Sequence, residues 1–226
     1  MDIAHAPLPC SAMIVAAGSS QRMGFDKLAG LLDGVTVLKR TLDAILAAES
    51  ISDVIVVCPA ERWELLGCSI FPKPVKRVDG GSTRQDSVAA GLAALSKESG
   101  YVAVHDGARP LVTPHDIDRC VAAAREHRAA ALARRVTETL KRANAEDFTT
   151  ASLSRDQLWF METPQVFELG LLKEGYACIT AQGRIVTDEV SAMEAIRIPV
   201  KLIESTSPNL KITTPTDLAL AAALLQ

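Results

Sequence analysis

The sequence predicts an α/β fold: a mostly parallel, twisted sheet with helices on both faces, interrupted by one polar, β-leaning segment. Three observations carry this. Short apolar runs of strand length alternate with longer stretches of helical periodicity. Glycine-rich stretches adjoin several of those runs, and open α/β sheets bind ligands at the carboxyl ends of their strands. One polar segment, 136–158, breaks the alternation.

The stretches "SAMIVAA" (11–17), "DVIVVC" (53–58), "YVAVHD" (101–106) and "AAALARRV" (129–136) read as buried strands. Between them, 37–48 places Leu38, Leu42, Ile45 and Leu46 on one helical face. Residues 84–95 do the same with Val88, Leu92 and Leu95. Pro114 opens a helix through "PHDIDRCVAAAREH" with Thr113 as its N-cap, and Pro215 opens the last helix with Thr214 before it. Such alternation yields parallel strands joined by helical crossovers. In 136–158, "VTETLKRANAEDFTTASLSRDQL", the residues are polar and β-leaning, with "RANAED" as a turn between two extended arms. By composition it is either a surface hairpin or an arm that reaches a partner subunit.

A chain of 226 residues, 48% apolar, fits a single domain spanning 1–226. Its net charge of -3 argues against nucleic-acid binding. Any anionic ligand must therefore be held by locally placed cations. The five cysteines are scattered, with no CxxC and no His at metal-ligand spacing, and they read as small buried residues in a reducing compartment. The N-terminal stretch lacks a basic region, and its apolar run is too short for a signal peptide or a membrane span. The expectation is a soluble, cytoplasmic protein with no membrane partner.

Three loops converge on one sheet edge: "AAGSSQRMGFDK" (16–27), "DGGSTRQDS" (79–87) and the end of "YVAVHD" at Asp106. The first is neither a Walker A loop nor GxGxxG, because five residues separate Gly18 from Gly24 and Lys27 comes three after Gly24. Taken alone it is a generic Gly/Ser turn or an anion nest. In a nest, backbone N–H groups, Arg22 and Lys27 would meet phosphate oxygens. Asp106 is either a ligand for Mg²⁺ or ribose, or a helix cap or salt-bridge partner of Arg109. His105 reads as structural.

Taken in order, "AAGSSQRMG..DK", "GGSTRQDSV", "VHDGARPLV", "TLKR", "ETPQVF", "TDEVSAMEA" and "NLKITTPTDLALA" resemble the 2-C-methyl-D-erythritol 4-phosphate cytidylyltransferases of the non-mevalonate isoprenoid pathway. The likeness runs from about residue 11 to residue 224. It implies a Rossmann-like nucleotidyltransferase that uses CTP with Mg²⁺ or another divalent cation. It implies that Ala16, Ala17 and Gly18 lie along the nucleotide, and that Arg22 and Lys27 stabilise charge at the α-phosphate. It places Gly81, Ser82 and Ser87 at the cytosine and Asp106 at the ribose and metal. Arg109, Thr163 and Thr187 would line the acceptor site, and Lys211 would orient the attacking phosphate. The segment 136–158 would be an arm exchanged in a homodimer, so that Thr139 and Arg155 serve the partner's site. The chain departs from the pattern at two places. Asp26-Lys27-Leu28 stands where many members have Pro-Lys-Gln, and Ser82 stands where some have an acidic residue near the base.

The residue inventory suits that chemistry. A phosphate monoester has a second pKa of about 6, so it is largely dianionic at neutral pH and needs no general base. Catalysis would rest on positioning and electrostatics. Other readings are a cytidylyltransferase for another polyol phosphate, such as ribitol 5-phosphate, and a non-catalytic nucleotide-binding regulatory protein.

Overall fold

A computed structural model describes residues 8–18, 26–67, 70–96 and 98–225. Its frame is a seven-stranded sheet built from β1 (Cys10–Val15), β4 (Ile51–Val57), β5 (Val75–Val78), β6 (Tyr101–Asp106), β7 (Ala129–Arg135), β10 (Trp159–Glu168) and β11 (Lys201–Glu204). Their order across the sheet is β11-β7-β10-β6-β1-β4-β5. Two short strands, β2 (Leu31–Leu32) and β3 (Val35–Thr36), pair with each other outside it. From β1 the chain runs outward through β4 to β5 at one edge, and then returns to place β6 on the other side of β1. That reversal opens a crevice beyond the carboxyl ends of β1 and β6, the usual ligand position in open α/β sheets.

The sheet is parallel except for β10, which runs antiparallel between β6 and β7. The polar segment forms a separate hairpin of β8 (Leu140–Ala143) and β9 (Thr149–Leu153), and nearly all of its side chains are exposed. Asn144 shapes the turn, its side-chain oxygen accepting from Glu146 N and Phe148 N.

Helices cover both faces. On one lie α1 (Val37–Ala47), α4 (Pro114–His127) and α7 (Pro215–Leu224), packed on the Cys10, Ala12 and Ile14 side of β1. On the other lie α3 (Arg84–Ala94), α5 (Leu169–Ala181) and α6 (Val190–Ala195), packed on Met13. The period-2 alternation of β1 thus divides the core into two layers. Threonine sets four helix starts: Thr36, Thr83, Thr113 and Thr214 each accept from a backbone N–H of the first turn. A short helix, α2 (Ala60–Trp63), follows β4. Among the described residues no helix is long and apolar enough to cross a membrane.

Phe167 on β10 is fully buried in the second layer. Phe167→Ala should cost about 3–5 kcal/mol of unfolding free energy, measured by chemical denaturation. A loss under about 1 kcal/mol would mean that this layer closes around the cavity.

Candidate active site

At the crevice a cavity of about 470 Å³ is lined by residues from all three glycine-rich or strand-end loops. Ala16, Ala17, Gly18 and Lys27 come from the first loop, Gly81, Ser82 and Ser87 from the second, and Asp106 from the end of β6. The two loops touch because residue 80 has no side chain. A Cβ there would lie 2.3 Å from the Ala17 Cβ. The Thr83 and Asp86 side chains cap α3 reciprocally, while Ser87 Oγ accepts from Gly81 N at 3.1 Å. The floor of the second loop is therefore fixed from within α3.

A second cavity of about 260 Å³ lies against the first. Arg109, Thr163 and Thr187 line it, and Arg84, Asp106 and Lys211 line both cavities. The seam between the cavities is built around one carboxylate. Lys211 Nζ sits 2.8 Å from Asp106 Oδ2, Arg109 Nε 3.6 Å from Oδ2, and Arg84 Nη2 3.4 Å from Oδ1. Burial alone would raise the Asp106 carboxyl. The positive charges of Lys211, Arg84 and Arg109 outweigh it and hold Asp106 well below the usual carboxylate range.

Arg84 is itself gripped from behind. Its Nη1 and Nη2 donate to Glu189 Oε1 and Oε2 at 2.6 and 2.9 Å, a bidentate pair on a carboxylate with no exposed surface. Tyr176 donates its hydroxyl to Glu189 Oε1 at 3.0 Å. Burial would lower the Arg84 pKa, but Glu189 and Asp106 raise it above its ordinary value, so the cation is secure. Arg109 is oriented by Asn209 O at 2.6 Å and Met161 O at 3.3 Å.

His105 ties the seam to Thr163, in the wall of the second cavity. Asp106 N donates to Thr163 Oγ1 at 3.1 Å, which lies 3.0 Å from His105 Nδ1, while His105 Nε2 lies 3.3 Å from Arg109 O. Every group is satisfied if Thr163 donates to Nδ1 and Nε2–H donates to Arg109 O. That requires the neutral imidazole. Burial pushes the His105 pKa down to about 4.

The residues named from the sequence are thus partly brought together. Ala16, Ala17, Gly18, Lys27, Gly81, Ser82, Ser87, Asp106 and Lys211 share the first cavity, and Arg109, Thr163 and Thr187 share the second with Asp106 and Lys211. Arg22 lies outside the described residues. Thr139 and Arg155 are exposed at the base of the hairpin and line neither cavity; Arg155 Nη1 donates to Thr137 O. Two further residues escaped sequence reasoning: Arg84 and Glu189. A cation in the first turn of α3 opposes the helix dipole, which signals a nearby anion, so Arg84 had a readable trace.

Residues 10–226 match the family of 2-C-methyl-D-erythritol 4-phosphate cytidylyltransferase. The enzyme so named from Prochlorococcus marinus (strain MIT 9313) is 43% identical over 219 residues, covering 94% of this chain and 96% of its own. The one from Geobacillus kaustophilus is 40% identical over 220 residues, with 95% and 96% covered. The solved structure of the Thermus thermophilus enzyme of the same name superposes with a TM-score of 0.79 at 33% identity, covering 96% of this chain and 98% of that one. The 4-diphosphocytidyl-2C-methyl-D-erythritol synthase of Anaerococcus prevotii superposes with a TM-score of 0.85 at 29% identity, with 96% of each chain covered.

The buried His105 makes stability depend on pH. Its folded pKa lies below the ordinary value of 6.5, so the contribution of the neutral ring is complete above pH 6.5 and is lost as pH falls toward 4. Denaturation midpoints should fall across that window by the equivalent of roughly 3 kcal/mol, and the slope should flatten in His105→Asn. Parallel pH profiles for the two proteins would remove His105 from the account.

Proposed function

Because the chain belongs to the 2-C-methyl-D-erythritol 4-phosphate cytidylyltransferase family, we propose that it transfers the cytidylyl group of CTP to 2-C-methyl-D-erythritol 4-phosphate, a step in isoprenoid precursor synthesis. The products are 4-diphosphocytidyl-2-C-methyl-D-erythritol and pyrophosphate. The single observation that carries the reading at the site is the pair of adjoining cavities whose common wall is Arg84, Asp106 and Lys211.

The larger cavity takes the nucleotide, with the triphosphate against Ala16, Ala17, Gly18 and Lys27 and the base toward Gly81, Ser82 and Ser87. The smaller takes the acceptor against Arg109, Thr163 and Thr187. A phosphate oxygen of the acceptor, oriented by Lys211, forms a bond to the α-phosphorus of CTP. The bond from that phosphorus to the bridging oxygen breaks, and the electron pair leaves with pyrophosphate. No proton has to be removed from a dianionic phosphate. Lys27 and Arg22 stabilise the charge on the α-phosphate as the bond order changes.

Charge supports the assignment of cavities. The larger is lined by Lys27, Arg84 and Lys211 against the single carboxylate of Asp106, whereas in the smaller Arg84, Arg109 and Lys211 face Asp106, Glu162 and Asp188. The more negative ligand belongs in the first. Among the described residues no cluster of three or more His, Cys, Asp or Glu could hold a metal ion unaided. One ionised carboxylate beside a triphosphate-sized cavity suits Mg²⁺, which takes one or two carboxylates plus substrate phosphates. Asp106 would hold it, and when bound it would neutralise phosphate charge.

The hairpin extends the reading to a homodimer with arm exchange. Thr139 and Arg155 are exposed and line neither cavity of their own chain, and Phe148 and Leu153 leave apolar surface exposed on the same hairpin. Each arm would deliver Thr139 and Arg155 to the partner's acceptor pocket.

Pyrophosphate release with Mg²⁺ tests the function, with CTP, ATP or GTP offered against methylerythritol phosphate and ribitol phosphate. Release with CTP and methylerythritol phosphate alone is expected; preference for another pair would move the function and leave the mechanism. Lys27→Ala should lower kcat by roughly 10²–10³-fold, as loss of a preorganised electrostatic donor does. Mixing Lys27→Ala with Arg155→Ala protein should restore activity through hybrid dimers. Failure to do so despite demonstrated subunit exchange would place Arg155 outside the partner's site.

A further inference from the structure

Arg62, in α2, belongs to none of the motifs that identify the family and lines neither cavity. Its side chain is only 10% exposed, yet its guanidinium spans both ends of the first loop. Nη1 donates to Ala16 O, and to Gly18 O at 3.1 Å. Nε donates to Asp26 Oδ2 at 2.8 Å. The other Asp26 oxygen accepts from Leu28 N at 3.1 Å, capping the short turn Lys27–Ala29.

Resting on the cytidylyl-transfer reading, the geometry points to Arg62 as the positioning residue that closes the base of the triphosphate loop. One planar cation fixes the backbone where the loop leaves β1 and the turn that carries Lys27 where it returns. The consequence for a phosphate is geometric. In a trans peptide the C=O and the following N–H point in opposite directions. With Ala16 O turned onto Arg62, the Ala17 N–H is turned away from it, and Ala17 lines the cavity while Arg62 does not. Arg62 therefore sets the direction of a loop donor without touching the ligand. It also gives Asp26 a physical role: where many family members carry proline before the lysine, this chain carries the carboxylate that Arg62 needs on the returning side.

Three acceptors on two separate stretches of chain match the fork of a guanidinium and not a single ammonium. The loop's phosphate affinity should therefore depend on the guanidinium of Arg62 in a way that a lysine in its place cannot supply.

The test is calorimetric titration of tripolyphosphate into wild type, Arg62→Ala, Arg62→Lys and Asp26→Asn, with steady-state kinetics and Tm on the same proteins. Arg62→Ala should weaken tripolyphosphate binding and raise KM for CTP about 10- to 100-fold, the scale of losing charge-assisted hydrogen bonds, while KM for the acceptor stays unchanged. Arg62→Lys should behave like Arg62→Ala. Asp26→Asn keeps the cap and loses the ion pair, so it should fall between wild type and Arg62→Ala; it also carries the comparison if Arg62→Ala fails to fold. Tripolyphosphate has neither base nor acceptor, so its binding reports on Arg62 whether or not CTP and methylerythritol phosphate are the substrates. Equal binding by wild type and variants, or no binding by wild type, overturns the proposal. An equal rise in both KM values also overturns it, by making Arg62 a general support of the fold.

Discussion

The carboxylate of Asp106 is the one group that both cavities, three cations and the central strand share. It stands at the end of β6, beside the crevice where strand order reverses, and Lys211, Arg109 and Arg84 reach it from three separate parts of the chain. Burying an ion is costly unless partners compensate, and here the partners over-compensate: three cations surround one carboxylate. Glu189 absorbs part of the excess through its bidentate pair with Arg84. What remains is a seam of net positive charge in a protein whose net charge is -3. The cations are collected by local anions and need no basic composition to support them.

The same strand end connects electrostatics to packing. Asp106 N bonds Thr163, on the antiparallel strand β10, and Asn209 Nδ2 reaches Thr163 O at 2.7 Å while its own backbone carbonyl orients Arg109. Strand β10 therefore does more than fill the gap between β6 and β7. It brings Thr163, in the wall of the smaller cavity, to the backbone of the carboxylate that both cavities share. The neutral His105 locks this contact from inside the core, which is why a histidine beside a strongly charged seam serves structure and not proton transfer.

Much of this was legible in the sequence, for reasons that are local. The strands at 10–15, 51–57, 101–106 and 129–135 declare themselves by continuous apolar runs, and threonine followed by proline or by a capping carboxylate marks the helix starts. The hairpin declares itself by polarity. What was not legible depends on pairing across the chain. Strand β5, "VKRV", lies at a sheet edge and has no buried run, and β10 owes its place to two neighbours far away in sequence. The Arg84–Glu189 pair joins residues 105 apart, and Arg62–Asp26 joins residues 36 apart. No periodicity reports such contacts. In the sequence Asp26 is only a departure from a family pattern; its partner, an arginine across the loop, meets it only in the folded chain.

These pairings also explain how an electrostatic site keeps its shape. Arg84, Arg109 and Lys211 repel one another, and an unconstrained lysine or arginine would move its charge into water at little cost. Each is instead held by an oxygen that belongs to the fold: Glu189 for Arg84, the Asn209 and Met161 carbonyls for Arg109, and Asp106 for Lys211. The anchors of the two arginines are separate from the carboxylate at the seam, so they fix position without drawing on it. Lys211 differs, since its anchor is Asp106 itself, on the wall that both cavities share. Its ammonium can exchange a carboxylate oxygen for a phosphate oxygen with little change in hydrogen-bond chemistry. Under the proposed assignment of the two cavities, a reaction that brings two anions together would be served by this division: two cations fixed in place by the scaffold, and one, on a flexible stem, whose bond would pass to the incoming phosphate.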